Sequence, residues 1–275
     1  MNDRTRRGLS MTLTLLAVGL TASALHAVRD HLGDPATLSG WTLLAATGGL
    51  YFLSARKQVI SPLIARRLGR VAIWMQFHLY LGTFASLIFL MHIGWPVRGA
   101  FEICLAACFV IVAVSGIVLA VMNRRIPRKL TAVAPAERLE HIPTLQAAVA
   151  RDAHATALAS AELGEGATLA EYYQQHLLPF FQSPRSLLYR LLPNGLERRR
   201  LLRDLDDLQR YLADQGNASR NQLADMVRAK DDLDYQHALQ VQLRLLVALH
   251  VALTWSLALL IGVHVVLVYR FQGTL

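Results

Sequence analysis

Five long stretches of the chain contain no Lys, Arg, Asp or Glu, and this feature restricts the possible folds more than any other. Each stretch is rich in Leu, Ala, Val, Ile and Phe. A helix needs roughly 20 apolar residues to cross a hydrocarbon core of about 30 Å, and every stretch reaches that length. The sequence therefore predicts an all-α membrane protein with five transmembrane helices. The stretches are Gly8–Val28, Pro35–Ala55, Val71–Val97, Ile103–Asn123 and Leu245–Tyr269.

The basic residues between these stretches predict the orientation of the chain. They cluster on one side of the predicted spans, while the opposite loops hold only Arg29 and Arg98, with Arg270 in the tail. An excess of Lys and Arg marks cytoplasmic loops. We therefore expect a multi-pass plasma-membrane protein with a cytoplasmic N-terminus and an outer C-terminus. The net charge of +9 then reports orientation, which argues against nucleic-acid binding. The clusters are Arg4, Arg6 and Arg7; Arg56, Lys57, Arg66, Arg67 and Arg70; and Arg124, Arg125, Arg128 and Lys129.

The first stretch has some features of a secretory signal, because arginines precede it and Ala22, Ser23 and Ala24 are small enough for a cleavage site. Its charge-free run is longer than the usual signal core of about 7–15 residues. We interpret it as a retained helix. Cleavage would leave the predicted topology of the later spans unchanged.

The residues between the fourth and fifth spans have a different character. Residues 124–240 carry 16 basic and 15 acidic side chains, with apolar residues at helical spacing in the run Leu201, Leu205, Leu208 and Leu212. We predict a helical cytoplasmic domain here, inserted between a four-helix transmembrane region (1–123) and the fifth span with its outer tail (241–275). Its last helix, about 219–240, should continue into the fifth span. The domain has no nucleotide-binding or C-x-x-C motif.

Four histidines within the predicted spans carry the functional signal. His78 and His92 lie in the third span, His250 and His264 lie in the fifth, and both pairs are spaced 14 residues apart. Fourteen residues make four turns at 3.5 residues per turn, so both histidines of a pair face one neighbouring helix. Their Cα atoms are about 21 Å apart along the axis, which is too far for one metal ion.

The direction of the helices places these histidines at two levels. The third and fifth spans both run outward, so His78 and His250 belong to the cytoplasmic level and His92 and His264 to the outer level. Two imidazoles across a gap suit a six-coordinate haem iron. The sequence therefore predicts two haem b groups, with the four histidines as iron ligands.

Other residues near these levels suit a haem. Gly82 and Ala85 follow His78 by four and seven positions and would let a flat macrocycle approach the helix. Haem propionates need cationic or hydrogen-bonding partners near the membrane surface. The candidates are Arg67, Arg70 and Arg244 at the inner level, and Trp95, Arg98, Tyr269 and Arg270 at the outer level.

Two other functions use the same features. A metal or haem transporter could use intramembrane histidines, although a divalent-metal path normally also has carboxylates, and Glu102 is the only acid near a span. A membrane anchor subunit would bind no cofactor. A histidine proton relay would not need matched spacings.

The paired H-x13-H spacing at His78/His92 and His250/His264 resembles the di-haem transmembrane cytochromes of the ferric reductase and NADPH oxidase type. The resemblance covers spans two to five and implies transmembrane electron transfer as part of an oxidoreductase system. A cytoplasmic redox partner or quinol would be the donor, and the outer face would meet the other partner. The chain lacks the flavin and nicotinamide domains of many members and adds the helical insert. We expect that insert to dock a redox partner; a purely structural role is the alternative.

Overall fold

The computed structural model describes residues 35–58, 71–94, 97, 99–133, 139–162 and 167–271, with five single positions before residue 35. Every regular element in this part of the chain is helical, so the all-α prediction is confirmed for it. A π-helical turn, Tyr173–Leu177, joins α5 to α6, and a 3-10 turn, Leu208–Tyr211, follows α8. The helices are α1 (Pro35–Gln58), α2 (Val71–His92), α3 (Ala100–Val133), α4 (Ile142–Glu162), α5 (Ala167–Tyr172), α6 (Leu178–Gln182), α7 (Leu187–Leu191), α8 (Leu196–Asp207) and α9 (Asp214–Phe271).

Three helices of the described part are long and apolar enough to cross a membrane. They are α2 over Ile73–His92, α3 over Ala100–Ile126, and α9. The second predicted span is helical as α1, but α1 is not among the three, because Ser, Thr and Gly residues along it lower its hydropathy. The first predicted span lies outside the described residues apart from the single positions. Five spans therefore remain a prediction.

Two helices continue past the charge boundaries that define the predicted spans. α3 runs on to Val133 although the charge-free stretch ends at Asn123. α9 is one helix of 58 residues, which confirms that the last insert helix continues into the fifth charge-free stretch. The reason is physical: Lys, Arg and Gln are good helix formers, so a change of charge marks a change of solvent and does not end a helix.

The chain divides into two compact units, residues 1–120 with 250–275, and residues 121–249. In the first unit, small and aromatic side chains from α1, α2, α3 and the end of α9 form the core. Phe89 and Phe109 stack with ring centroids 4.1 Å apart. The hydroxyl of Tyr51 donates to the Thr254 carbonyl at 2.8 Å. The predicted domain boundaries lie close to this division but stay a prediction, since compactness does not locate a membrane.

The second unit has an apolar core of its own. Leu201, Leu205 and Leu212 are buried there and Leu208 packs against them, as the helical spacing predicted. Aromatic residues of the π-helical turn and α6 join the same cluster, among them Tyr173, Phe180 and Phe181. The first half of α9 completes it with residues such as Leu223 and Val227.

A buried polar cluster lies beside this core. The guanidinium of Arg185 pairs with Asp234 at 2.6 Å, with Asp231 at 2.8 Å, and with Glu197. Lys230 also donates to Asp234, at 2.7 Å. The Arg185 guanidinium lies 4.6 Å from the ring centroid of Phe180. Because both charges and rings surround Arg185, the cluster satisfies its buried groups internally.

Candidate functional site

The structure brings the four histidines of the predicted spans together in two places. The rings of His92 and His264 lie 6.4 Å apart between centroids, with planes at 88°. His78 and His250 lie close enough to interact electrostatically. Each place thus combines one histidine of α2 with one of α9, which is the combination that parallel spans predict.

The orientation of His92 is set by a serine on α1. The Ser39 hydroxyl lies 3.0 Å from Nδ1 of His92. The same hydroxyl donates its proton to the Ala36 carbonyl at 3.0 Å, three residues back on its own helix. If the one hydroxyl proton is used in the bond to Ala36, the Ser39 oxygen accepts from His92, and the ring proton is then on Nδ1. In that tautomer Nε2 is the nitrogen that can bind a metal.

His250 has the same arrangement on a different helix. The Ser115 hydroxyl of α3 lies 2.7 Å from Nδ1 of His250. It donates to the Val112 carbonyl at 2.9 Å, again three residues back. With the hydroxyl proton on the Val112 carbonyl, His250 has the same tautomer, in which Nε2 is the nitrogen that can bind a metal.

A glycine follows each of these serines and lets the imidazole approach the helix. A Cβ on Gly40 would lie 3.1 Å from Cε1 of His92. A Cβ on Gly116 would lie 3.3 Å from Cε1 of His250. Both distances are shorter than ordinary van der Waals contact, so only glycine leaves the rings undisturbed. Ser39–Gly40 and Ser115–Gly116 therefore form two matched cradles, which we call the Ser-Gly cradles.

The other two histidines have different surroundings. Nδ1 of His78 is buried and has no hydrogen-bond partner in the described part of the chain. A buried ring nitrogen without a partner is costly unless a ligand occupies the site. The ring of Phe101 lies nearly parallel to that of His264, with centroids 6.5 Å apart. His264 therefore packs against an aromatic ring in addition to His92.

The remaining predicted site residues are only partly placed. Gly82 faces α1, since a Cβ there would lie 3.9 Å from Leu50. Its role beside a macrocycle stays a prediction. Arg244 is exposed on α9, six positions before His250. Arg70 and Arg98 lie outside the described residues. Glu102 is exposed in the first turn of α3.

The spacing of the paired rings can be compared with that of two imidazoles on one metal. Two imidazoles on opposite sides of one metal have ring centroids roughly 6 Å apart, given metal–nitrogen bonds of about 2.0 Å. The His92–His264 separation agrees with this. Within the described residues, no group of three or more His, Cys, Asp or Glu side chains could hold a metal. A haem needs only two axial protein ligands, so paired histidines suffice for it.

Sequence reasoning missed the Ser-Gly cradles, although a signal was present. The dipeptide Ser-Gly occurs only at 39–40 and 115–116, and both copies lie in predicted spans. The serines are 53 and 135 residues away from their histidines, so only the fold reveals the contacts.

Comparison with known proteins gives no relative: the chain matches no family model, no curated protein and no solved structure.

Proposed function

We propose that the chain carries electrons across a membrane with two b haems, each held by one histidine of α2 and one of α9. The inner haem would be ligated by His78 and His250, and the outer haem by His92 and His264. When bound, haem supplies reversible one-electron chemistry at its iron. The chain would act as the membrane subunit of an oxidoreductase system.

One observation carries this proposal: the Ser-Gly cradles. A histidine that ligates a metal almost always hydrogen-bonds through its other ring nitrogen, which fixes the orientation of the ring. Two histidines on different helices receive the same serine acceptor at Nδ1 and the same glycine at Cε1. This repetition favours a shared role as ligands through Nε2.

The chain's own residues would position the ligating rings and exclude water from the space between the two haems. The serine oxygens hold two rings, and the buried Phe89 and Phe109 exclude water between the two levels. Of the acidic side chains in the described part of the first unit, Glu102 alone is present, and it is exposed.

The test is cofactor analysis of the full chain purified in mild detergent. A pyridine haemochrome assay should give about two b haems per chain, because bis-histidine sites occur at two levels. Both should extract into acidic acetone, since the sequence has no C-x-x-C-H for covalent attachment. A haem content near zero, or thioether-linked haem, would contradict the proposal.

Two other functions give different results in the same preparation. A metal or haem transporter requires net transport in sealed vesicles. An anchor subunit binds neither haem nor a transported metal. A reduced b-type spectrum that persists after removal of loosely bound haem favours electron transfer over both.

We further propose that the insert between the fourth and fifth predicted spans docks a cytoplasmic redox partner. Support comes from its lack of any nucleotide motif and from the uninterrupted α9, which links it to His250. In a variant with residues 131–234 replaced by a flexible linker, haem content and reduction by dithionite should survive. Reduction by the native donor in membranes should be lost. Wild-type reduction by that donor would exclude docking, and loss of the haems would indicate a structural role.

A further inference from the structure

A short segment of the second unit exposes its leucine side chains. Five leucines between residues 187 and 196 are each 66–75% exposed. Tyr189 of the same segment is buried, and its ring lies against the Arg185 guanidinium at 4.7 Å. Large exposed apolar patches mark interaction sites. The leucines are Leu187, Leu188, Leu191, Leu192 and Leu196, and we call them the leucine patch.

The leucine patch is fixed to α9 at a defined level. The Gln242 side-chain amide donates to the carbonyls of Arg190 at 2.5 Å and Leu191 at 3.0 Å. Gln242 stands three residues before the charge-free stretch that begins at Leu245. At 1.5 Å per residue this is about 4.5 Å along the helix. If α9 crosses a membrane, the patch therefore lies at the headgroup level.

Basic side chains accompany the patch. Residues 183–203 contain six arginines and one glutamate, and of these arginines Arg185 and Arg198 pair with aspartates of α9. Arg199 and Arg203 are exposed on consecutive turns of α8. Exposed leucines with neighbouring arginines are typical of segments that lie in the interface of an anionic leaflet, with the apolar side chains about 5–10 Å below the surface.

We propose that the leucine patch inserts into the inner leaflet of the membrane and binds anionic lipid headgroups through the adjacent arginines. The occupant of the patch is thus lipid. The position beside the end of the charged half of α9 and the positive charge favour lipid over a second copy of the chain. The inference rests on the membrane-spanning part of the proposed function and is independent of the haems.

The experiment uses the full chain with Cys104 and Cys108 changed to Ala, reconstituted in nanodiscs of phosphatidylcholine and phosphatidylglycerol. Leu191→Cys carries an environment-sensitive dye. Leu158→Cys is the matched control, because Leu158 is also an exposed leucine of the second unit, 54% exposed on α4. Leu259→Cys, in the last charge-free stretch, reports the span itself. Each dye is quenched separately by iodide in water and by a spin label high on the lipid acyl chain.

We expect the Leu191 dye to be quenched by the lipid label and several-fold less by iodide than the Leu158 dye. Iodide quenching at Leu191 equal to that at Leu158, with Leu259 shielded, would overturn the patch and leave the span intact. Shielding of Leu191 from both quenchers would mean a protein occupant and would also overturn it. Access of iodide to Leu259 would overturn the span and the patch together. Haem content, measured on the same samples, tests the haem proposal separately.

Discussion

In the unit of residues 121–249, buried charged side chains meet partners of opposite charge, whereas two histidines of the other unit meet serine hydroxyls. Arg185 and Lys230 contact Asp231 and Asp234 within 2.6–2.8 Å. His92 and His250 instead bond to Ser39 and Ser115.

The difference separates two uses of a buried polar group. An ion pair satisfies both partners and leaves nothing over for a ligand. A serine that accepts from Nδ1 satisfies one ring nitrogen of the imidazole and leaves Nε2 available to a metal. A buried polar group whose hydrogen bonds are all made within the protein therefore indicates a structural role. A buried polar group with one position left unbonded indicates a binding role.

The largest expected effect comes from removing one of the ligands. His92→Ala or His264→Ala should lower haem content from about two to about one per chain, because a haem with one axial protein ligand is held weakly. His78→Ala or His250→Ala should remove the other haem. The measurement is the haemochrome ratio with potentiometric titration to show which haem remains. His154→Ala, an exposed histidine of the second unit, is the control and should keep both. If His78→Ala and His264→Ala removed the same haem, the pairing by level would be wrong.

Disruption of the ion-pair cluster around Arg185 should lower the stability of the second unit by a large amount and leave the haem content unchanged. Arg185→Ala leaves Asp231 and Asp234 buried with less compensation, which we expect to lower the free energy of unfolding by about 3–5 kcal/mol. Protection of the second unit against limited proteolysis, measured in urea, gives the change. Arg210→Ala is the matched control, because its pair with Asp207 is exposed and should contribute only about 0–1 kcal/mol. Equal effects of the two substitutions would remove the distinction between the clusters.

The Ser-Gly cradles allow a finer test of the first unit. Ser39→Ala should weaken the outer haem and Ser115→Ala the inner one, each by about 10–100-fold in affinity, since partners of a ligating histidine have effects of that size. The matched control is Ser86→Ala, whose hydroxyl bonds only to the Gly82 carbonyl of its own helix. A structural role would change thermal stability alone. The cradle role also predicts a shifted midpoint potential for one haem and not the other.

The smallest expected effect is a pH dependence in the second unit. Burial lowers the pKa of His237, Arg190 adds to this, and Asp234 opposes it. The unfolded chain therefore binds a proton more readily, so the stability from neutral His237 is complete above its ordinary pKa of about 6.5 and is lost as the pH falls through the lower folded value. His237→Asn should flatten the rise in thermal midpoint between pH 5 and pH 7 that this residue causes. His154→Asn, at an exposed position, serves for comparison; the same slope in both variants would show that His237 is not the source.

The helical fold was predictable because its signals are local. The spacing of Leu201, Leu205, Leu208 and Leu212 gave the buried side of α8. The absence of charged residues predicted the apolar parts of α2, α3 and α9. For α1 the buried Ser39 and Thr47 lower the hydropathy, and its crossing of a membrane stays a prediction.

The candidate site was predictable only in its outline. The 14-residue spacing selected the four histidines, because that spacing is a property of a single helix. The common direction of the third and fifth predicted spans then predicted which histidines share a level. The serine acceptors could not be derived, since no local pattern tells which neighbour α1 or α3 presents to a histidine far along the chain. The leucine patch was also missed, because a run of leucines is typical of a buried core. Only the structure shows that these leucines are exposed while Tyr189 between them is buried.

The single uninterrupted path of α9 limits how the length of this protein can change. One residue inserted between His250 and His264 would turn the second ring by about 100° around the axis and move it by about 1.5 Å. A loop absorbs such an insertion, as residues 192–195 between α7 and α8 could, because its backbone has no register to preserve. Among natural variants of this chain, gaps and insertions should therefore gather in its connections, and the stretch from 250 to 264 should keep its length even where its sequence drifts.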